Sequence, residues 1–414
     1  MRWLYSILIH LYGVILHVAA LFNPKARLWV DGRKNYFEKL SQLEFKGHWV
    51  WFHTASLGEY EQAKPVIAEL KKSRPDSKFL VTFFSPSGYE IRKNDETVDS
   101  VLYLPLDTKK NASQFLDRVN PELAVFVRYE FWPNFLDGLH KREIPTAVIA
   151  ANFRESQFMF SSFGGYVLNR IKKLSAITVQ TEKSVELLTS NGVEKEKISV
   201  AGNSRVDQVA KIASNKSSNK ILEAFSENRK VLILGSSYAK EESFIRSILI
   251  EEQPLRILIA PHYVDEANIK RLINSLPVIP LRYSLADEGA ASVSSVMILD
   301  TMGMLAQSYQ YGDYALVGGG FNDGLHSILE PAAFGHPTFF GPKHHSFPEA
   351  TALIEKGGAF EVTNSDEFEK EFNKLFESEL EYERSRKAVH QYISEQKGAA
   401  NKIAQVLLSL INQQ

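Results

Sequence analysis

A glycine-rich segment in the second half of the chain is the first candidate for chemistry. Gly318, Gly319 and Gly320 follow the apolar run Tyr314–Val317 and precede a predicted helix around residues 327–334. Backbone N–H groups of such a loop, with the N-terminus of a following helix, can hold a phosphate without a metal ion. The dinucleotide fingerprint fits poorly because its third glycine falls on Asp323, and no P-loop pattern occurs. Glycines after a strand are equally typical of plain turns, so both interpretations stay open.

A glutamate in the first half of the chain is a candidate for acid–base chemistry. Glu59 follows the apolar run at residues 49–52, where a carboxylate at a strand-to-helix junction can face a ligand. The spacing Ser56-x-x-Glu59 is also that of a helix capping box. From this spacing alone, the capping role is favoured.

A second carboxylate, Glu130, lies just past the apolar run Leu123–Val127. It is also at the carboxyl end of a predicted strand, where the ligands of open α/β sheets bind. An ion pair is an equally good explanation from the sequence, with Arg128, Arg142 or Arg154 as the partner.

Composition excludes several classes of function. The chain has 414 residues and no cysteine, which removes disulfides, thiolate metal sites and a cysteine nucleophile. Lys and Arg number 48 against 49 Asp and Glu, so there is no global basic field to hold a nucleic acid. No D-x-D triplet occurs, which argues against a carboxylate-held Mg²⁺ or Mn²⁺ on a nucleotide diphosphate. The adjacent pair His344 and His345 is interpreted as loop residues and not as metal ligands.

The elements that position these residues alternate between short apolar runs and amphipathic stretches, which is a βα pattern. Strands are predicted at residues 49–52, 79–84, 123–127, 146–150, 176–179, 198–201, 231–234, 256–260, 296–299, 314–317 and 338–340. The pattern predicts an α/β fold with two doubly wound, Rossmann-like domains that face a central cleft. Their predicted bounds are residues 41–210 and 229–380, with a linker at 211–228 and helices at 381–414.

The first 40 residues are predicted to form a membrane-associated helix and its basic flank. Residues 3–22 carry no formal charge and would make about 30 Å of helix. A polar stripe on one helical face indicates a helix that lies in the interface or crosses with this stripe against protein; its members are Ser6, His10, Gly13 and His17. The alternatives are a buried core helix and a cleaved signal peptide. The basic residues that follow place the rest of the chain in the cytoplasm; they are Lys25, Arg27, Arg33, Lys34 and Lys39.

Ordered motifs along the chain resemble those of the 3-deoxy-D-manno-octulosonic acid (Kdo) transferases of lipopolysaccharide synthesis. They run from ASLGE at 55–59, YEFWPN at 129–134 and GNSRVD at 202–207 to DTMG at 300–303, VGG at 317–319, LHSILEPA at 325–332 and GP at 341–342 with SF at 346–347. The resemblance extends from about residue 1 to about residue 400. Several ordered motifs over this length are a far stronger signal than any one of them.

The resemblance implies an inverting, metal-independent glycosyltransferase of the GT-B type. Such an enzyme moves Kdo from CMP-Kdo to a lipid A precursor of the lipid IVA type. At Glu59 the resemblance favours the general base over the capping role. Glu130 and Arg205 are implied as transition-state stabilisers. Arg205 stands where the family usually has lysine. Without the resemblance, it would be interpreted as a solvated surface arginine. Residues 41–210 would bind the acceptor and residues 229–380 the donor.

The resemblance also implies the residues that bind CMP. They are Pro261, His262, Met302, Gly303, Met304, Ser327, Ile328, Leu329 and Glu330, with Gly318, Gly319 and Gly320 as the phosphate loop. His262 replaces the usual arginine and Ser327 the usual asparagine. Glu330 would accept hydrogen bonds from ribose hydroxyls, although a partner for the helix dipole is its other interpretation.

The implied partners are CMP-Kdo, the lipid acceptor and the inner membrane at its cytoplasmic face, with no nucleic acid and no cofactor. Two rival classes remain open at this point. One is another two-domain glycosyltransferase that uses a UDP-sugar. The other is a membrane-associated nucleotide-binding protein without catalytic activity.

Overall fold

The computed structural model describes residues 2–215, 217–250, 254–322 and 324–413. Asp323, on which the dinucleotide fingerprint fails, lies outside them. The chain divides into an N-terminal unit, residues 1–208 with 398–414, and a C-terminal unit, residues 209–397. Each unit contains one seven-stranded parallel sheet. The predicted α/β class with two parallel sheets is confirmed.

The N-terminal unit is built from seven βα repeats preceded by three helices. Its strands are β1 Trp49–Thr54, β2 Lys78–Phe83, β3 Ser100–Tyr103, β4 Leu123–Val127, β5 Thr146–Ala151, β6 Ala176–Val179 and β7 Ile198–Val200. Its helices are α1 Arg2–Ala19, α2 Pro24–Asp31, α3 Tyr36–Gln42, α4 Leu57–Ser73, α5 Pro86–Arg92, α6 Lys109–Val119, α7 Pro133–Lys141, α8 Gly165–Ile171, α9 Glu182–Ser190 and α10 Arg205–Ser214.

The strand order in this sheet is β3-β2-β1-β4-β5-β6-β7. All six residues of β1 are buried, as expected for a central parallel strand covered by helices on both faces. Because β1 pairs in parallel with both β2 and β4, the order reverses between β1 and β4. Ligands of doubly wound sheets bind at the carboxyl ends of the strands at such a switch point.

The C-terminal unit repeats this plan. Its strands are β8 Lys230–Ser237, β9 Leu255–Pro261, β10 Leu281–Arg282, β11 Val296–Ile298, β12 Tyr314–Val317, β13 Thr338–Phe340 and β14 Ala359–Glu361. Its helices are α11 Lys220–Ser226, α12 Ala239–Ile250, α13 Glu266–Ser275, α14 Glu288–Val293, α15 Leu305–Ser308, α16 Leu329–Ala333, α17 Pro348–Lys356, α18 Ser365–Glu377 and α19 Glu379–Gln396, and the chain ends with α20 Ala399–Asn412. The order β10-β11-β9-β8-β12-β13-β14 places the switch point between β8 and β12.

The last helix, α20, belongs to the N-terminal unit although it ends the chain. Its Ile403 and Leu407 are buried in the same core cluster as Tyr60 and Ile67 of α4. Asp207 fixes its start, because its two carboxylate oxygens accept the N–H groups of Gly398 and Ala400 at 2.6 and 2.7 Å. Asp207 ends the GNSRVD segment, and the structure uses it to cap a helix.

The N-terminal helix α1 packs on the first unit through one narrow face. The Tyr5 hydroxyl donates to Asp107 Oδ2 at 2.7 Å, and Asp107 also accepts N–H groups from Asn134 and Phe135 at the start of α7. Burial raises the pKa of Asp107 to about 7. Within the described ranges, no helix is both long and apolar enough to cross a membrane. The alternative in which the N-terminal helix spans a membrane is therefore not supported.

The predicted polar stripe of α1 does not form the packed face. His10 and His17 are exposed, and each places its Nδ1 against a carbonyl of its own helix, Ser6 O at 2.5 Å and Gly13 O at 2.7 Å. Of the stripe, only Gly13 is buried. The face toward the protein includes Tyr5, Ile9 and Gly13, and the Tyr12 ring stacks on Phe84.

Candidate active site and nucleotide-binding region

Glu59 and Glu130 follow the two strands that flank the switch point of the N-terminal sheet. Glu59 lies in the first turn of α4, directly after β1, and Glu130 follows β4. Parallel neighbouring strands end at the same edge of a sheet, so the topology brings these two carboxylates together. The sequence analysis placed each residue at the end of its own strand, and the strand order of the sheet relates the two.

The Glu59 carboxylate caps its own helix and is also unusually easy to protonate. Its Oε2 accepts the N–H groups of Ala55 and Ser56 at 2.5 and 3.0 Å, so the predicted capping box is present. Burial, and secondarily repulsion from Glu130, raises the pKa of Glu59 to about 7 despite these two hydrogen bonds. A carboxylate with a pKa near neutrality suits a general base.

Glu130 is held by aromatic neighbours. The Trp132 indole Nε1 donates to Glu130 Oε2 at 2.9 Å, and His53 Nε2 lies 3.4 Å from the same oxygen. Within the described residues, none of the three candidate arginines forms an ion pair with Glu130, and Arg142 pairs with Asp117 at 2.5 Å instead. The ion-pair explanation of Glu130 is therefore wrong.

Arg128 is a cation beside this pair. It has a positive φ of 63°, which is uncommon for a residue with a side chain and marks a constrained turn between β4 and Glu130. Its Nε is buried and has no hydrogen-bond partner in the described part of the chain. Its charge acts on the Glu59 carboxyl in the direction that lowers the pKa, opposing Glu130.

Arg205 begins α10 near the helix that carries Glu59. Asn203 Oδ1 accepts the Arg205 N–H at 3.1 Å and the Gln62 amide of α4 at 3.3 Å, and Ser204 Oγ donates to Gln62 O at 2.8 Å. These contacts tie the start of α10 to α4, less than one turn after Glu59. The Arg205 side chain is half-buried. The structure thus places all three predicted catalytic residues in one unit.

The glycine loop follows β12 at the switch point of the second sheet. The Gly318 N–H donates to Gly235 O at 2.9 Å, and the Gly319 N–H donates to the buried Glu241 carboxylate at 3.0 Å. A Cβ on Gly318 would collide with the Ser236 carbonyl, and one on Gly320 would lie 2.6 Å from Gly341 N. Close backbone packing therefore explains these glycines, and the first two N–H groups already have protein acceptors.

Aromatic rings gather next to this loop. Tyr238, which follows β8, stacks on His262 after β9 with ring centroids 4.8 Å apart, and His326 lies 4.7 Å from His262. The Tyr238 hydroxyl and His326 Nε2 are 3.1 Å apart. Burial lowers the pKa of both histidines, which favours the neutral form of each ring. Sequence reasoning missed Tyr238 and His326, although His326 lies within the quoted LHSILEPA motif.

The other predicted CMP-binding residues line the same edge of the second sheet or its loops. Pro261 ends β9, Met302 is 76% exposed, and Gly303 has a φ of 83°. Met304 precedes α15, and Glu330 is in the first turn of the short helix α16. Ile328 and Leu329 are buried, and the buried Ser327 Oγ has no hydrogen-bond partner in the described ranges.

Two further predicted groups have structural partners. Asp300 accepts from Arg282 Nε at 2.8 Å and from the hydroxyl and N–H of Ser284, so it fixes the turn before residues 302–304. His344 is buried and bonds Glu361 at 2.6 Å. No group of three or more potential metal ligands occurs in the part of the chain that the structure describes.

Comparison with known proteins gives one family over the first half of the chain. Residues 30–208 match the family model described as 3-deoxy-D-manno-octulosonic-acid transferase. The chain is similar to the enzyme of that name from Haemophilus influenzae, with 27% identity covering 93% of this chain and 92% of the relative. The Chlamydophila psittaci transferase is 29% identical over 78% of this chain and 76% of its own length.

Among solved structures, the chain resembles a UDP-GlcNAc 2-epimerase from Neisseria meningitidis. The TM-score is 0.64 at 18% identity, covering 87% of this chain and all of the epimerase chain. At this identity the similarity shows the fold alone. The transferase relatives confirm the predicted resemblance, and the epimerase agrees with the two-sheet α/β architecture.

Proposed function

We propose that this chain, a homologue of the Kdo transferases, is an inverting glycosyltransferase that moves Kdo from CMP-Kdo to a lipid A precursor of the lipid IVA type. The observation that carries the proposal is the Glu59 carboxyl at the switch point, whose pKa is raised to about 7 inside the segment that matches the transferase family. The relatives named as Kdo transferases support Kdo transfer in lipopolysaccharide synthesis. We assign the two units to the GT-B class.

The reaction needs one proton transfer and one exchange of bonds. An acceptor hydroxyl attacks the anomeric carbon of Kdo while the bond from that carbon to the CMP phosphate oxygen breaks. The hydroxyl proton passes to Glu59, and the electron pair of the broken bond leaves with CMP. Glu130 and Arg205 stabilise the charge that develops in the transition state.

The donor nucleotide is assigned to the C-terminal unit. We assign to Glu330 the acceptance of hydrogen bonds from ribose hydroxyls. Ser327 Oγ, which has no partner among the described residues, supplies a hydrogen-bonding group three residues before it. His262 and Tyr238 offer a stacked aromatic surface at the ends of β9 and β8. Since burial lowers the pKa of His262 and favours its neutral form, we assign it a neutral hydrogen bond to the donor in place of a charged contact. The proposal includes no metal ion and no cofactor.

We further propose that α1 holds the enzyme at the cytoplasmic face of the inner membrane by lying in the interface. Large apolar side chains are exposed along α1 and just after it, with Trp3, Leu21 and Phe22 at 70%, 68% and 85%. An amphipathic helix with such a face binds at the boundary between headgroups and acyl chains. This brings the site to an acceptor that is itself a lipid.

The basic flank contributes less to membrane attraction than its sequence suggests. The Arg33 guanidinium lies over the Trp29 ring at 3.9 Å and donates to Leu104 O and Phe84 O, and burial lowers its pKa to about 9. Lys34 pairs with Asp31 at 2.7 Å. Lys25, Arg27 and Lys39 remain exposed for anionic lipid headgroups.

Ligand-induced stabilisation tests the donor assignment. A ligand that binds only the native state raises the melting temperature by mass action. We expect CMP to raise the melting temperature of the protein and UDP at the same concentration to leave it unchanged. Stabilisation by UDP alone would favour a UDP-sugar enzyme. Stabilisation by CMP without CMP release from CMP-Kdo and acceptor would favour a nucleotide-binding protein without activity.

A further inference from the structure

His53 is a polar ring at the centre of the N-terminal sheet. It lies in β1, an interior strand next to the switch point, and is 0% exposed. A buried imidazole is costly unless both ring nitrogens have hydrogen-bond partners. Its neighbours therefore decide what it does.

The Nδ1 side of the ring is held by Thr82 on the adjacent strand β2. Thr82 Oγ1 lies 2.9 Å from His53 Nδ1 and accepts the Trp51 indole N–H at 2.8 Å. Since the indole can only donate, the hydroxyl proton of Thr82 can point to His53 Nδ1 or to Phe52 O, which lies 3.5 Å from Oγ1. The hydroxyl can therefore donate to Nδ1 or accept from it, and both neutral tautomers of His53 keep this bond.

The Nε2 side of the ring meets the proposed catalytic carboxylate. Trp132 Nε1 lies 3.0 Å from His53 Nε2 and 2.9 Å from Glu130 Oε2, and His53 Nε2 lies 3.4 Å from the same oxygen. Two rings thus converge on one oxygen of Glu130. Both come from rigid positions, because His53 lies in the sheet and Trp132 immediately precedes α7.

We infer that His53 is a positioning residue that, together with Trp132, fixes the Glu130 carboxylate for the transfer reaction. The inference rests on the proposed function, because it gives Glu130 its task. His53 itself is fully buried and acts through Glu130 and not on the substrate. Misplacing a group by about 1 Å can cost on the order of 100-fold in rate, so loss of this contact should be measurable.

Two amide substitutions of His53 test the contacts of its two ring nitrogens separately. The amide of His53→Asn reaches the position of Nδ1 and keeps the contact with Thr82, but leaves Trp132 and Glu130 without their partner. The amide of His53→Gln reaches the position of Nε2. We expect His53→Asn to lower kcat by roughly 10- to 100-fold with unchanged CMP affinity, and His53→Gln to recover most of that loss.

Two threonine substitutions compare the loss of the buried hydroxyl beside His53 with the loss of a buried hydroxyl far from it. Thr82→Val removes the group that orients His53 and should lower kcat in the same direction as His53→Asn. Thr146→Val removes a buried hydroxyl that donates to Ile144 O at the start of β5, where the amino ends of the strands in the same sheet lie. We expect it to lower the melting temperature without lowering kcat.

The indole N–H resonance of Trp132 in the intact protein gives a readout that does not need activity. It is assigned by its disappearance in Trp132→Phe. We expect it to shift in His53→Asn and to return toward its wild-type position in His53→Gln. An unmoved resonance in His53→Asn, or equal losses of kcat in both amide variants, would overturn the inference. Failure of the wild-type protein to transfer Kdo would refute the proposed function. It would leave the contact between His53 and Trp132 testable, because the indole resonance does not depend on activity.

Discussion

Glu59→Gln separates a general base from a helix cap, because the amide keeps an oxygen that can cap the helix but cannot take a proton. An amide oxygen can still accept the N–H groups of Ala55 and Ser56, so the fold should persist. It cannot take a proton from the acceptor, and loss of a general base costs about 100- to 10,000-fold in turnover. CMP affinity should be unchanged.

The raised pKa of Glu59 sets the size of the expected change in the free energy of unfolding. A rise from 4.5 to about 7 means that the folded unit holds this proton more tightly than the unfolded chain. The free energy of unfolding therefore falls as pH rises from about 4.5 to about 7, by about 3 kcal/mol from this group, and is then level. Glu59→Gln removes that loss. We expect it to melt higher than wild type at pH 8.5 and close to wild type at pH 5.

Glu367→Gln is the matched control. Glu367 occupies the same position in α18, where its carboxylate accepts the Thr363 hydroxyl at 2.6 Å and the Thr363 N–H at 2.9 Å. These bonds lower its pKa, so its contribution to stability is present above the unfolded pKa and lost in acid. We expect this variant to melt slightly lower at pH 8.5, with full turnover. Wild-type turnover in Glu59→Gln would refute the general-base assignment. A loss of stability at pH 8.5 like that of Glu367→Gln would refute the raised pKa of Glu59.

The remaining predictions concern the cation, the nucleotide and the membrane. Arg128→Gln should move the rise of kcat/KM with pH from near 7 to higher pH, because the charge that opposes protonation of Glu59 is lost; a shift to lower pH would contradict this. Glu330→Ala should weaken CMP much more than the lipid acceptor in calorimetric titrations, and equal weakening would remove it from the nucleotide site. Serine substitution of Trp3, Leu21 and Phe22 should reduce sedimentation with anionic vesicles without lowering the melting temperature. The same substitutions at the exposed Ile279, Leu285 and Val293 should change neither, and full sedimentation of the first variant would refute the anchor.

Central strands were predictable from the sequence, and most edge strands were not. All eleven predicted runs form strands, and runs such as 123–127 and 314–317 match to the residue because both faces of a central parallel strand are buried. The three missed strands, β3, β10 and β14, all lie at sheet edges. Their residues are partly exposed, so no continuous apolar run marks them.

The motifs located the candidate site but did not separate structural from chemical roles. From the sequence, capping and catalysis were alternative roles for Glu59. The structure shows one carboxylate that caps a helix and still has a raised pKa. Asp207 stands in the same motif as Arg205, yet it caps a helix whose start lies 191 residues later in the chain. A contact over such a separation leaves no local pattern.

The histidine behind Glu130 could not be found from spacing. His53 lies inside an apolar strand, and its partners Thr82 and Trp132 are 29 and 79 residues away. Only the order of the parallel strands brings them together. In the same way, the Tyr238 and His326 rings meet because β8 and β12 are neighbours in the second sheet.

Mass spectrometry of the lipid product, combined with measurement of CMP release, tests Kdo transfer most directly. The full chain is incubated with CMP-Kdo and a lipid IVA acceptor, with Glu59→Gln in parallel. We expect the acceptor to gain the mass of one or more Kdo residues, with one CMP released per residue added, and the variant to give neither at a comparable rate. An acceptor of unchanged mass in the presence of the folded wild-type chain, or gain of a hexose from a UDP-sugar instead, would contradict the assignment.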